Sequence, residues 1–306
     1  MANLFVLPPN EKVNLSRIDP KDTGQFQSKE DIAEEMDKLK VELEALQEKL
    51  VAGKKKAVIF VFQGMDCSGK DGSIKHVFSG LNPQGVYSHS FKSPSEEEKQ
   101  HDFLWRAHNK VPPLGYIATF NRSYYEEVLI TRVHGTVSDK EAKQRFKHIN
   151  NFESMLADSN VKVVKIFLHI SKEFQLEKLK SRIEDPNKNW KFDPSDLAER
   201  KSWDHYQSCY EKLFKNCSSS APWHIVPSDN RWYRNYAVLK IAVEALKSMH
   251  LKDPKPIPEL QLYLDEITKE AEIVEKPKAF KNKEKEKDKD QDMEKNKDQD
   301  KENVNV

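Results

Sequence analysis

The sequence predicts an α/β protein: a parallel five-stranded sheet flanked by helices on both faces. Three observations lead there. Short apolar runs alternate with stretches of helical periodicity between residues 28 and 251, the pattern of strands joined by helical crossovers. The first run, Ala57–Phe62 (AVIFVF), is apolar throughout, as a strand buried on both faces requires. It opens at once into a glycine-containing loop and then a helical stretch, the order of a phosphate-binding βα turn.

Taken in order, residues 28–51 form the first helix. Ile32, Met36, Leu39, Leu43, Leu46 and Leu50 step by four and three, leaving Glu and Lys on the remaining surface, so one stripe is apolar. Such a helix suits a short coiled coil or packing on its own domain, and the second is the simpler. The strand at 57–62 leads to a helix from Gly69 to Leu81. Val86–Phe91 is a second strand and Glu96–His108 a second crossover helix. Gly115–Phe120 is a third strand, followed by a helix from Ser123 to about His134 and another over Lys140–Leu156. Val161–Ile170 is the clearest strand, and Ser171 can cap the helix after it. One long helix is expected over 195–216, a short strand at Trp223–Val226 and a last helix over Trp232–Leu251. Trp203, Tyr206 and Tyr210 recur at helical spacing and read as core. His169 ends an apolar strand and reads as structural.

The domain spans 28–252 by this reading, with an N-terminal extension at 1–27 and a C-terminal extension at 253–280. Residues 281–306 are almost free of apolar side chains, so a disordered, charged tail is expected there. The tail is neutral: positions 275–306 hold ten Lys and ten acids, out of 51 basic and 50 acidic residues in the 306-residue chain. No apolar run approaches the roughly 18 residues of a membrane span, and MANLFVLPPNEKV is not built like a secretory signal. Cys67, Cys209 and Cys217 are the only cysteines, which argues against a disulfide scaffold and for a reducing, cytoplasmic setting. The formal charge of +1 excludes a wholly basic nucleic-acid binder. A polyanion partner then requires a local cationic groove on a neutral protein.

The loop after the first strand reads Gly64-Met65-Asp66-Cys67-Ser68-Gly69-Lys70, then Asp71-Gly72. It fits G-x-x-x-x-G-K in the strand–loop–helix context that motif needs. Its amides and the helix N-terminus can cradle phosphate oxygens, and Lys70 can reach a terminal phosphate. The usual Ser or Thr after the lysine is replaced by Asp71, and Asp66 lies inside the loop. Both acids are candidate Mg²⁺ ligands, directly or through water. Asp66 is preferred for the metal, with Asp71 starting the helix against its dipole. Cys67 reads as a small loop residue.

The third strand ends in Phe120-Asn121-Arg122-Ser-Tyr-Tyr-Glu126-Glu127, placed to form a second wall of the same site. Arg122 can clamp a transferring phosphoryl group. Asn121 is neutral where a direct metal ligand would be Asp, and Glu126, one turn on, can supply the missing carboxylate. Trp105 and Arg106 are placed either to line an acceptor site or to pack. Residues 178–201, polar and broken by prolines, carry Arg182, Lys188 and Lys191 among acids. That is a place for a mobile lid that brings cations over phosphates and excludes water, or for a solvated helical hairpin.

In order along about 15–250, QGMDCSGKDGSIKHVFSGLNPQGVYSHSFKSP, HDFLWR, FNRSYYEEVLITRVHG, FLHISKEFQ, EDPNKNWKF and APWHIVPSDNRWYRNY resemble the family-2 polyphosphate kinases. The resemblance implies a thymidylate-kinase-like P-loop kinase fold with a helical lid. It also implies reversible, Mg²⁺-dependent phosphoryl transfer between inorganic polyphosphate and nucleotides. The family's loop acid falls on Asp66, its phosphate lysine on Lys70, its third-strand arginine on Arg122 and its lid arginine on Arg182. Asn121 stands where many members have Asp, and FNRSYYEEVL resembles the subgroup that accepts AMP as well as ADP. Adenine nucleotides are the expected partners, with guanine left open, in a homo-oligomer without nucleic-acid or membrane partners. An ATP-dependent nucleoside monophosphate kinase shares the fold and is separated by its donor. A non-catalytic nucleotide- or polyphosphate-binding protein is separated by turnover.

Overall fold

The computed structural model describes residues 6–8, 11–254 and 256–272. The chain divides into two units, Met1–Pro254 and Lys255–Val306. The expectation of a disordered tail at 281–306 lies outside the described residues.

The first unit holds five parallel strands: β1 (Ala57–Gln63), β2 (Val86–Ser90), β3 (Ile117–Asn121), β4 (Val161–His169) and β5 (Trp223–Pro227), in the order β2-β3-β1-β4-β5. β1 is central and every one of its residues is buried. Successive side chains enter opposite faces. Ala57, Ile59 and Val61 join one apolar core, and Val58, Phe60 and Phe62 join the other. Burial on both sides explains why the run does not alternate with polar residues.

α1 (Ala33–Gly53), α2 (Lys70–Phe78) and α10 (Arg231–Lys247) pack on the second of these cores. The stripe of α1 turns inward, with Ile32, Leu39, Leu43 and Leu50 buried. Glu35 accepts bonds from Tyr236 and Lys240 on α10 at 2.8 and 3.0 Å, so the helix packs on its own domain. It begins later than expected, after a 3₁₀ turn at Glu30–Ile32. α6 (Asp139–Asp158) and α9 (Trp203–Asn216) contribute to the first core. Trp203, Tyr206 and Tyr210 lie in it, as expected. His169 Nε2 donates to the Ile18 carbonyl at 3.0 Å.

Three expected helices are broken instead. Glu96–His108 splits into α3 (Glu96–Lys99) and α4 (Trp105–His108). The Asp102 carboxylate takes the Leu104 amide at 2.9 Å, a local bond that competes with a continuous helix. Ser123–His134 becomes a 3₁₀ turn, Tyr124–Val128, and α5 (Ile130–Val133), parted at Leu129. Residues 195–216 divide at Ser202 into α8 (Pro194–Lys201) and α9. Between β4 and α8 runs α7 (Lys172–Glu184), whose first turn is capped by Ser171 Oγ accepting from the Phe174 amide at 3.0 Å.

In the second unit, residues 260–272 are helical. Among the described residues no helix is long and apolar enough to cross a membrane.

Candidate active site

A cavity of about 490 Å³ lies beyond the carboxyl ends of the strands, where open α/β sheets bind ligands. Every strand feeds it. The loop after β1 supplies Asp66, Cys67, Gly69, Lys70, Asp71 and Gly72. The end of β2 supplies Ser90, Phe91 and Lys92, and the end of β3 supplies Asn121 and Arg122. α7 and the segment after it add Lys178, Arg182, Lys188 and Lys191, with Asp193 and Asp196. α10, entered from β5, adds Arg231 and Arg234.

The loop is shaped by its glycines. Gly64 has φ +149, and a Cβ there would lie 2.7 Å from the Leu168 carbonyl. Gly69 has φ +94, and its Cβ would lie 2.0 Å from Arg234 Nη1. The guanidinium therefore fills the space a side chain would take. It donates to the Ser68 carbonyl at 3.2 Å and to Asn235 Oδ1. Burial and the neighbouring Arg231 hold its pKa down to about 10.

Lys70 is buried at the start of α2, and its ammonium donates to the carbonyls of Gly64 and Met65 at 2.7 and 3.2 Å. Burial pushes its pKa below the ordinary lysine value, while Asp66 pulls the other way. Cys67 is pushed up to about 11 by burial, so its thiol is not activated at neutral pH.

Asp66 meets Arg122: Nη2 donates to Oδ1 at 2.7 Å. Burial opposes the guanidinium charge, but Asp66 and Glu126 override it and raise the Arg122 pKa above the usual arginine value. Arg122 itself has φ +60, and its amide donates to the Phe62 carbonyl at 3.0 Å. The bend carries the chain off β3 toward the loop. Asn121 Nδ2 donates to Asp71 Oδ1 across the cavity. Asp71 thus sits in the first turn of α2, as expected, and also faces the third-strand motif. Glu126 Oε1 accepts from Gln63 Nε2 at 2.9 Å, and Gln63 Oε1 accepts from Ser123 Oγ at 3.3 Å. Buried Gln63 ties the root of the phosphate loop to the third-strand turn.

Arg182 reaches the cavity from α7 and is held by Asp196 Oδ2 at 2.8 Å and the Lys191 carbonyl at 3.1 Å. Burial, with Asp66 nearby, raises the Asp196 pKa. Gln175 on α7 donates to the Asp66 carbonyl at 3.0 Å and accepts from Arg200 on α8 at 2.9 Å. Loop, α7 and α8 are thereby linked. Arg106 does not line this cavity. It is buried, donates to the Lys92 carbonyl at 2.7 Å and pairs with Glu127 at 3.3 Å; Trp105 stacks on His101.

Of the residues singled out from the sequence, Asp66, Lys70, Asn121, Arg122 and Arg182 share one cavity with Cys67, Gly69, Asp71 and Gly72 of the loop, whereas Gly64, Met65 and Ser68 do not line it. Glu126 stands behind it, close enough to act on Lys70 and Arg122 by charge. Arg231 and Arg234 were missed, although two arginines three apart at the start of a helix after the last strand share a face. Lys92 and Lys178 were also missed, and no spacing marked them.

The chain is similar to known proteins. The chain is 43% identical over 254 residues to an AMP/ADP-polyphosphate phosphotransferase of Meiothermus ruber, covering 82% of this chain and 95% of that one. It is 41% identical over 267 residues to an ADP-polyphosphate phosphotransferase of Rhodopseudomonas palustris, covering 83% and 92%. The crystal structure of polyphosphate kinase 2 from Arthrobacter aurescens TC1 superposes with a TM-score of 0.84 at 37% identity, over 88% of this chain and 96% of that one. The profile of the family Polyphosphate kinase 2 (PPK2) matches residues 26–254. With sheet, phosphate loop and third-strand arginine in place, the chain belongs to the polyphosphate kinase 2 family, on a P-loop kinase fold.

Proposed function

We propose that the chain transfers a phosphoryl group reversibly between inorganic polyphosphate and adenine nucleotides, with both AMP and ADP as acceptors. The observation that carries this is the charge of the cavity. Nine Lys and Arg side chains line it against four carboxylates, with Phe91 and Phe174 the only aromatic lining residues. That is a lining for a chain of phosphates. The AMP/ADP range rests on the FNRSYYEEVL motif and on the activity for which the Meiothermus relative is named.

In this reading the loop amides and Asp66 orient the acceptor phosphate of the nucleotide. Lys70, Arg122 and Arg182 neutralise the terminal phosphates of the donor. An acceptor phosphate oxygen attacks the terminal phosphorus of polyphosphate in line. The P–O bond to the bridging oxygen breaks, and its electron pair leaves with the shortened chain. Such a transfer needs positioning and charge stabilisation more than covalent help from the protein. Asp66 fixes Arg122 through their ion pair. Residues 178–201 act as a lid, whose cations close over the phosphates and whose closure excludes water.

Mg²⁺ fits the donor set. Asp66 and Asp71 present carboxylate oxygens on one cavity, and Mg²⁺ takes one or two carboxylates beside waters and phosphate oxygens. Glu126, outside the cavity lining, is engaged by Gln63. When bound, the ion neutralises charge on the phosphate oxygens it touches.

The test is a matrix of donors (polyphosphate, ATP) against acceptors (AMP, ADP, GMP, GDP) with Mg²⁺. Polyphosphate-dependent formation of ADP and ATP is expected. No transfer from polyphosphate to any acceptor overturns the reading, and transfer from ATP alone replaces it with a nucleoside monophosphate kinase.

A further inference from the structure

A buried polar cluster lies behind the third-strand turn, away from the cavity. Tyr124 and Tyr125 are buried to 1% and 0% exposure, as are Glu153 on α6 and Lys165 on β4. Both tyrosine hydroxyls donate to one oxygen of Glu153, at 2.8 and 2.6 Å. The other oxygen accepts from Lys165 at 2.7 Å and from Ser220 at 2.9 Å. Lys165 spends its remaining donors on the Tyr125 hydroxyl at 2.9 Å and the Cys217 carbonyl at 2.7 Å. Each ammonium proton and each carboxylate oxygen is satisfied.

An ion pair so deeply buried is a poor source of stability, because apolar side chains of similar volume serve as well or better. What it does supply is directional constraint. The two tyrosines directly follow Arg122 and Ser123, where the chain leaves β3 with Arg122 in the left-handed region. That conformation costs a non-glycine residue about 1–2 kcal/mol and needs something to hold it. The tyrosines are adjacent in sequence yet converge on a single oxygen, which pins the 3₁₀ turn. With the turn pinned from the core side, Arg122 faces the loop and meets Asp66.

We propose that Tyr124 and Tyr125, anchored on the Glu153–Lys165 pair, are positioning residues that set Arg122 for phosphoryl transfer. The inference rests on the role given to Arg122 above. The cavity's other cations bind the polyphosphate ground state without help from the turn, so the loss falls on turnover and not on binding.

The experiment is a double-mutant cycle of Tyr125→Phe with Arg122→Lys in the full chain, reading kcat, KM for polyphosphate and thermal melting. Tyr125→Phe is expected to lower kcat by about 10-fold, a misplacement effect, with KM within about twofold. In the Arg122→Lys background the same change should cost less than about twofold, since residues acting through one another are not additive. Wild-type kcat for Tyr125→Phe, or a loss undiminished in the Arg122→Lys background, overturns the inference while an impaired Arg122→Lys leaves the reading of Arg122 standing. Wild-type turnover by Arg122→Lys overturns that reading and the inference with it. Should Tyr125→Phe not fold, Tyr124→Phe, which removes one bond to the same oxygen, enters the same cycle with the same criteria.

Discussion

Replacing Gly69 with alanine probes the phosphate loop through two separable costs. An L-residue held at φ +94 pays about 1–2 kcal/mol for the left-handed conformation. The new Cβ would also lie 2.0 Å from Nη1 and 2.7 Å from Cζ of Arg234, so the guanidinium must move by more than an ångström. Arg234 is only 5% exposed and gives up its bond to the Ser68 carbonyl, a charge-assisted bond whose loss costs about 1.5–3 kcal/mol. Together these come to about 2.5–5 kcal/mol. A domain of this size loses about 2–4 °C of Tm per kcal/mol, so Gly69→Ala should melt roughly 5–20 °C below wild type. The assay is thermal denaturation of Gly69→Ala, Arg234→Ala and the double variant. With Arg234 truncated the collision is gone, and the alanine should cost only its backbone part, about 1–2 kcal/mol. Gly69→Ala melting within about 2 °C of wild type, less than 1 kcal/mol on that scale, refutes the reasoning. So does a full cost that persists in the Arg234→Ala background.

Other consequences are measured in solution. The KM for polyphosphate should rise steeply with ionic strength, because the cavity's excess of cations is screened by salt; a KM flat between about 50 and 300 mM salt (roughly two- to threefold in Debye length) contradicts the cationic cavity. Burial lowers the Lys70 pKa from its ordinary 10.5. Between the lowered value and 10.5 the unfolded chain holds a proton the folded one has lost, so this group's contribution to stability rises with pH there. Activity should fall over the same window as the ammonium is lost. A pH profile of kcat/KM with its alkaline limb at or above 10.5 rejects that role. Cys67 is pushed up to about 11 by burial, and Cys209 and Cys217 are buried, so iodoacetamide at about pH 8 should label the native chain slowly and the urea-unfolded chain fast. Rapid labelling of Cys67 in the folded protein would contradict it.

Periodicity located the elements whose burial is uniform. β1 and β4 are apolar because both faces are covered, and α1 and α9 carry one buried stripe each. It failed where side chains capture the backbone. Asp102 takes the Leu104 amide and Ser123 the Tyr125 amide, and each interrupts a helix expected to be continuous. At Leu129 and Ser202 the chain changes direction so that residues on either side can bury: Tyr124 and Tyr125 before the first, Trp203 and Tyr206 after the second. Lys165 was hidden for the opposite reason. A lysine inside an apolar strand gives no sign that Glu153 and two tyrosines, distant in sequence, will surround its ammonium.

The formal charge of +1 is a sum over the whole chain, and the cavity shows why that sum bears weakly on a polyanion partner. Its nine cations come from positions 70 to 234. Motifs pointed to Lys70, Arg122 and Arg182, each beside a recognisable turn. Arg231 and Arg234 join them only because β5 lies next to β4, which brings the start of α10 to the same end of the sheet as the phosphate loop. The compensating acids lie largely elsewhere, and many, such as Glu34 and Glu96, are paired at the surface. At physiological salt a charge acts over about 8 Å. A phosphate chain inside the cavity therefore responds to the cations that line it and little to acids on the far faces of the helices. Neutrality outside and positive charge within are compatible properties of one chain, and strand order, more than composition, determines the second.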